Sequence, residues 1–247
     1  MSSPLFTLIT GASSGIGQSI ALALSSDRNL ILHGRDLQRL NETRNACAHP
    51  DRHLIWPLDL NQPEQLAQNL PSFLLEQQVT IDALVHCAGI LKVLPMRQLD
   101  LPQAREIMNV NFHSAAEIIR LLLIKSVNQR ELKSIVFISS IASQFGAKGF
   151  HHYSASKGAL DSLMRSLSVE LAPEIRVNSI LPGGILTEST ASIDPQLEDR
   201  LNAHYSLGPG LASDIASCAK FLLSDQSRWI TGQQLVVDGG RTVNISA

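Results

Sequence analysis

The sequence predicts a doubly wound α/β fold, a seven-stranded parallel sheet with helices on both faces. Three observations predict it. Short apolar runs alternate with longer amphipathic segments, the pattern of repeated β-α units. A glycine turn, Thr10-Gly11-Ala12-Ser13-Ser14-Gly15-Ile16-Gly17, joins the first apolar run to the first amphipathic segment. The 247 residues contain no linker, internal repeat or low-complexity stretch, so residues 1–247 read as one domain.

In chain order, the first strand is expected at Leu5 to Thr10, with a helix starting near Ile16 after the glycine turn. The second strand, Asn29 to His33, leads through Gly34-Arg35 to Asp36. Aspartate is a preferred N-cap, and the helical Leu37-Gln38-Arg39-Leu40 follows it at once. The third strand is His53 to Leu58, and the next helix starts near Pro63; Pro71 inside it predicts a kink or a split, because proline lacks the amide donor. Ile81 to His86 is the fourth strand, followed by a helix starting near Leu101. The fifth strand is Ser134 to Ser139, ahead of a helix from about Tyr153. That helix carries Leu160, Leu163, Leu167 and Leu171 on one stripe and the small Ala155, Ala159, Ser162 and Ser166 on another. A second stripe of small residues lets another helix approach closely, which predicts a homo-oligomer, a tetramer or a dimer. Ile175 to Ile180 and Leu235 to Val237 complete the sheet, with a helix starting near Asp214 between them. From Ile185 to Leu211 there is no strand character, and Asp194-Pro195 and Gly208-Pro209-Gly210 break the chain. A loop of that length in a compact domain is expected to be a lid or a binding element.

Charged residues make up 17% of the chain against 44% hydrophobic, and the formal net charge is −2. There is no basic field to attract nucleic acid or an anionic membrane. The apolar run Leu121-Leu122-Leu123-Ile124 is far too short to span a bilayer. Met1-Ser2-Ser3-Pro4 leads straight into a strand without the basic and apolar regions of a signal peptide, so the protein is expected in the cytoplasm. Cys47, Cys87 and Cys218 are odd in number and widely separated, which argues against a disulfide framework and a zinc site. His151-His152 has no third ligand at a suitable spacing, and no metal is expected.

The chemistry is carried by Tyr153-Ser154-Ala155-Ser156-Lys157. On a helix, residues i and i+4 are neighbours, so the phenol and the ammonium share a face. A fixed ammonium favours the phenolate and is expected to pull the tyrosine below its usual value near 10. In the glycine turn, Gly11 permits the bend, Gly15 lets backbone approach a pyrophosphate, and Gly17 allows close helix packing. The helix N-terminus that follows offers free amides to the anion. Dinucleotide choice falls at the end of the second strand, where an acid pairs with the ribose hydroxyls of NAD and a base accepts the 2′-phosphate of NADP. With Asp36 engaged as a helix cap, Arg35 is free for the phosphate, and NADP(H) is preferred over NAD(H).

These residues, with Asp59-Leu60, His86-Cys87-Ala88-Gly89, Asn111, Ser140 and Pro182-Gly183 with Thr187, resemble the short-chain dehydrogenase/reductase family along nearly the whole chain, and within it the 3-oxoacyl-carrier-protein-reductase-like branch. The spacing Gly-x-x-x-Gly-x-Gly is itself a mark of that family. The resemblance implies a Rossmann-like fold and an NAD(P)-dependent enzyme acting on CH-OH or C=O groups, with a small-molecule carbonyl or alcohol substrate. It implies that Tyr153 is the general acid in reduction and that Lys157 also binds the nicotinamide ribose. It implies that Ser140, thirteen residues before the tyrosine, steadies the reacting oxygen, and that Asn111 completes a proton relay. Cofactor contacts are implied for Gly11, Ser13, Ser14, Gly15, Ile16, Gly17, Arg35, Asp59, Leu60, Cys87, Ala88, Gly89, Pro182, Gly183, Ile185 and Thr187. Asp59 is expected at the adenine ring, and Ile185 and Thr187 at the carboxamide. His86-Cys87 stand where the family usually has two asparagines, so the pinning of the fourth strand falls to other donors. A dehydratase or epimerase with a tightly held dinucleotide, or a non-catalytic nucleotide-binding regulator, are the other functions such a chain could serve. The substrate pocket is expected from Leu91 to Leu99, Gln144 to His152 and the lid.

Overall fold

The computed structural model of the chain describes residues 3–187 and 197–244. Strand β1 (Leu5–Thr10) is followed by helix α1 (Gly15–Leu24), β2 (Leu30–Gly34) by α2 (Leu37–Ala46), and β3 (Leu54–Pro57) by α3 (Leu66–Gln77). Next come β4 (Thr80–His86), α4 (Leu101–Met108), one π-helical turn (Asn109–His113), α5 (Ser114–Leu123) and α6 (Lys125–Asn128). The chain continues with β5 (Ser134–Ile138), α7 (His151–Glu170), β6 (Arg176–Pro182) and β7 (Ile185–Leu186). It ends with α8 (Leu197–His204), β8 (Gly210–Leu211), α9 (Ala212–Leu223) and β9 (Gln234–Val237).

Seven strands form one parallel sheet in the order β3-β2-β1-β4-β5-β6-β9. The order reverses direction between β1 and β4, which opens the crevice where such sheets bind ligands. Helices cover both faces, as the alternating sequence predicts. Against one face, Leu66, Leu70 and Leu74 of α3, Ile118 and Leu122 of α5, and Leu160 and Met164 of α7 pack with Phe137 and Trp56. Against the other, Ile20 and Leu24 of α1 and Ile215, Ala219 and Leu222 of α9 pack with Ile9, Leu32 and Val136. The inner strands are buried on both sides, which is why they read as unbroken apolar runs rather than alternating ones.

One expectation is narrowed and another needs correction. Pro71 does not split its helix: α3 runs from Leu66 to Gln77 with the proline inside. Leu66 and Leu70 before it and Leu74 after it are all buried, so tertiary packing holds both halves and offsets the lost amide bond. The stretch from Ile185 to Leu211 is not simply a loop. It contains the parallel pair β7–β8 and helix α8, and the expected breakers Asp194-Pro195 lie outside the described residues. Strands of two residues are too short to leave a periodic signal.

Candidate active site

The floor of the crevice is set by Thr10 at the end of β1. Its Oγ1 lies 3.0 Å from His86 Nδ1 and accepts the amides of Cys87 and Ala88, each at 3.1 Å. Thr10 thus pins β4, the task that the unusual His86-Cys87 pair left open. Gly11 has a φ of +70°, and a Cβ there would sit 2.8 Å from Ala88 Cα. A Cβ on Gly17 would collide with Gly11 O. These two positions therefore require glycine. No side chain caps α1 at Ser14, so the amides of its first turn stay open to an anion.

At one end of the crevice, β5 delivers Ser140 and the first turns of α7 deliver Tyr153 and Lys157. Lys157 is 3% exposed; its Nζ donates to Ile138 O at 2.8 Å and stands 5.7 Å from the Tyr153 ring centroid. Ser140 Oγ accepts the amide of Ala142 at 3.1 Å, which fixes the turn after β5. Asn111 sits fully buried in the π-helical turn, a distortion that recurs at functional sites. Its side chain brackets Ile90, accepting from Ile90 N at 2.8 Å and donating to Ile90 O at 3.1 Å, and donates to Ser156 Oγ at 2.9 Å. A Cβ on Gly89 would lie 3.3 Å from Lys157 Nζ and 3.5 Å from Asn111 Oδ1, so those two residues converge behind that glycine. The four residues that the sequence singles out are therefore brought together.

The expected depression of the tyrosine does not hold. Burial pushes the Tyr153 phenol up to about 12, outweighing the Ser140 hydroxyl, which acts the other way. Burial likewise pulls Lys157 down to about 8 and pushes the Cys87 thiol up to about 12. The reason is desolvation, which disfavours the charged form of both groups, while the Lys157 ammonium donates to Ile138 O. Near neutrality Tyr153 is a protonated phenol, a proton donor.

The cleft measures about 1070 Å³ and is lined by Gly11, Ser13, Ser14, Gly15, Ile16 and Gly17 along one wall. Cys87, Ala88 and Gly89 line the floor, and Pro182, Gly183, Ile185 and Thr187 the far wall. At its other end stand Arg35, Asp59 and Leu60. Asp36 caps α2 as the sequence predicts, its Oδ1 accepting from Arg39 N at 3.1 Å. Asp59 Oδ1 accepts from Asn61 N at 3.0 Å, so it also closes its own turn. The sequence reading missed His33, Arg39, Ile90 and Val110, which line the same cleft. Arg39 was legible in principle, because a cap at Asp36 puts it in the first turn of α2. His33 was not, since it reads as one more buried strand position. Leu91, Val93 and Phe150 of the expected substrate pocket are present, and Phe150 meets the Tyr153 ring edge-on at 5.9 Å. His151 binds Leu94 O through Nε2 at 2.9 Å and has its Nδ1 2.9 Å from His152 Nδ1. No described helix is long and apolar enough to cross a membrane.

The chain is similar to known proteins over nearly its whole length. The family described as enoyl-(acyl carrier protein) reductase matches residues 11–242. An L-rhamnose 1-dehydrogenase (NAD(P)(+)) of a Sphingomonas species is 31% identical, with 96% of each chain covered. A 3-oxoacyl-[acyl-carrier-protein] reductase of Chlamydia trachomatis is 32% identical, over 94% of this chain and 95% of its own. Among solved structures, a short-chain glucose/ribitol dehydrogenase of Brucella melitensis superposes with a TM-score of 0.85 at 30% identity, covering 96% of both chains. A 4-hydroxyisoleucine dehydrogenase complexed with NADH and succinate gives 0.86 at 31% identity, over 96% of this chain and 100% of its own.

Proposed function

The chain belongs to the short-chain dehydrogenase/reductase family, an oxidoreductase by that membership, and from this premise we propose that it is an NADP(H)-dependent enzyme reducing a small carbonyl compound or oxidising the matching alcohol. One observation carries the reading: Ser140, Tyr153 and Lys157 meet at one end of a cleft whose other end holds Arg35, with the glycine turn between them. The cleft fits a dinucleotide. The uncapped start of α1 is open to a pyrophosphate, and Gly15 leaves its space toward Thr187, whose Cγ2 would be 3.4 Å from a Cβ there. When bound, the dinucleotide supplies the hydride donor or acceptor.

The chain's own residues do the rest. In reduction, negative charge grows on the carbonyl oxygen, and a donor within hydrogen-bond reach must quench it. Tyr153, held as a neutral phenol by burial, gives that proton. Ser140 steadies the same oxygen. Lys157 keeps its ammonium beside the phenolate that Tyr153 becomes after transfer and binds the nicotinamide ribose, and Asn111 completes the relay that brings the next proton to Tyr153. Pro182, Gly183, Ile185 and Thr187 hold the nicotinamide end, Asp59 and Leu60 the adenine end, and Arg35 the 2′-phosphate. The free cysteines at 47, 87 and 218 suit a cytoplasmic protein. The exposed small residues Ala155, Ser162 and Ser166 of α7 suit helix-to-helix assembly into a homotetramer or dimer.

The test is NADPH consumption against a panel of ketones, 3-oxoacyl thioesters, sugars and steroids. Tyr153→Phe is expected to abolish turnover while NADPH still binds, as read by its fluorescence. Normal turnover by that variant would sink the mechanism.

A further inference from the structure

Asp161 carries a carboxylate that the chemistry above does not use. It lies one turn beyond Lys157 on α7, is 2% exposed, and neither of its oxygens has a hydrogen-bond partner among the described residues. A buried carboxylate without a donor is costly, and natural folds keep few of them without a use. Its neighbours on the buried side of α7, Leu160, Met164 and Leu167, show that an apolar side chain would pack there. Nor can a second subunit supply the missing donor, because the monomer alone already covers the residue.

The surroundings of Lys157 show what this charge faces. From β4 and the loop after it come His86 and Cys87, and from α7 itself Tyr153 and Asp161. His86 is held neutral with a value of about 3, while Cys87 and Tyr153 lose their protons only at about 12, so none of the three carries charge near neutrality. Strand β5 and the turn at 141–143 bring no charged side chain. His113 of the π-helical turn, Arg105 of α4 and Arg165, one turn beyond Asp161 on α7, are exposed, and Glu106 of α4 pairs with Lys92 at 2.6 Å. Arg176, the titratable residue of β6, sits at the start of that strand bound to Leu222 O and Ser227. Among the described residues, two groups oppose the desolvation of Lys157, Cys87 first and Asp161 second, and Asp161 is the carboxylate of the two, one turn along the same helix.

We propose that Asp161 is a positioning residue whose buried carboxylate is the counter-charge of the Lys157 ammonium and sets the alkaline limit of proton transfer by the Tyr153–Lys157 pair. Charges one turn apart and out of water interact far more strongly than the same pair at a surface. The link to proton transfer rests on the roles given to Tyr153 and Lys157 above. The link to the ammonium does not.

Two measurements on the full-length protein separate these parts. The first is an NMR titration of the Lys157 side chain in the free protein, with 13C-labelled lysine and Lys157→Arg for assignment. Asp161→Asn is expected to move its transition to lower pH by roughly one unit, since loss of a nearby negative charge disfavours the ammonium. Asp161→Glu is expected to leave it near the wild-type position. The second is the pH profile of kcat and KM, in which Asp161→Asn should shift the alkaline limb of kcat the same way and leave the KM for dinucleotide almost unchanged. If Asn at this site does not fold, Asp161→Leu offers the same comparison without a polar group. A lysine transition and a rate profile that superimpose on those of the wild type overturn the proposal, as expected of a carboxylate that merely holds a buried water. A lysine that shifts while the rate profile stays put overturns the functional link alone and puts the fault in the role of Lys157.

Discussion

Truncating Arg35 to alanine tests the dinucleotide preference. Arg35 is exposed at the mouth of the cleft, directly after β2, and the adjacent Asp36 is held by the backbone amide of Arg39. A guanidinium on the 2′-phosphate makes charge-assisted hydrogen bonds worth about 1.5 to 3 kcal/mol. Losing them should weaken NADP binding roughly ten- to a hundredfold. Because Arg35 is solvent-exposed, the lower part of that range should hold at physiological salt and the loss should grow at low ionic strength. NAD binding should hardly change, as NAD has no phosphate there. Asp36→Ala should act elsewhere: it removes the cap of α2 and is expected to cost about 0.5 to 2 kcal/mol of stability, visible as a lower urea midpoint. The assay is fluorescence titration of NADPH and NADH into wild type, Arg35→Ala and Asp36→Ala at two salt concentrations. A wild type that prefers NAD, with affinity lost in Asp36→Ala and not in Arg35→Ala, would refute the reasoning, since Asp36 would then be reading the ribose hydroxyls.

Three further outcomes are expected. Lys157→Ala should weaken both dinucleotide binding and turnover, unlike Tyr153→Phe, and parallel binding and rate measurements check the contrast. Stability should fall with acid: burial holds His33 at about 4 and His86 at about 3 in the folded chain, against about 6.5 in the unfolded one. The unfolded state alone takes up these protons, so stability is full above pH 6.5 and lost as pH falls toward 4, by about 1.4 kcal/mol per pH unit for each histidine. Urea unfolding at several pH values, with a shallower slope in His86→Asn, tests this, and a slope unchanged by that variant would count against it. Light scattering at micromolar concentration should give a mass well above the 26.9 kDa monomer; a monomer would rule out assembly through α7.

Much of the site was legible because its residues obey local rules. Asp36 announces itself as a cap by type and position, and Tyr153 and Lys157 announce a shared face by spacing alone. The strand ends came within a few residues because the inner strands are apolar on both sides. What the sequence hid depends on the third dimension. The upward shift of Tyr153 follows from the protein packed around its phenol, which spacing does not encode. The uninterrupted α3 follows from Leu66, Leu70 and Leu74 packing on either side of Pro71. Asp161 falls between two leucines in the pattern, and only burial without a donor sets it apart. On α7 the buried stripe includes Asp161 and Met164, and Leu163 is only partly covered, a rotation that a tally of leucines does not reveal.

The bonds of Thr10 also decide where a proton sits. A threonine hydroxyl has two lone pairs and one hydrogen. Both lone pairs are taken by the amides of Cys87 and Ala88, so the hydrogen must point at His86 Nδ1. That nitrogen is then bare, and neutral His86 is locked as the Nε2–H tautomer. Protonating Nδ1 would force the hydroxyl to turn and release an amide. The floor of the cleft and the ionisation of a histidine beneath it are thus mechanically joined.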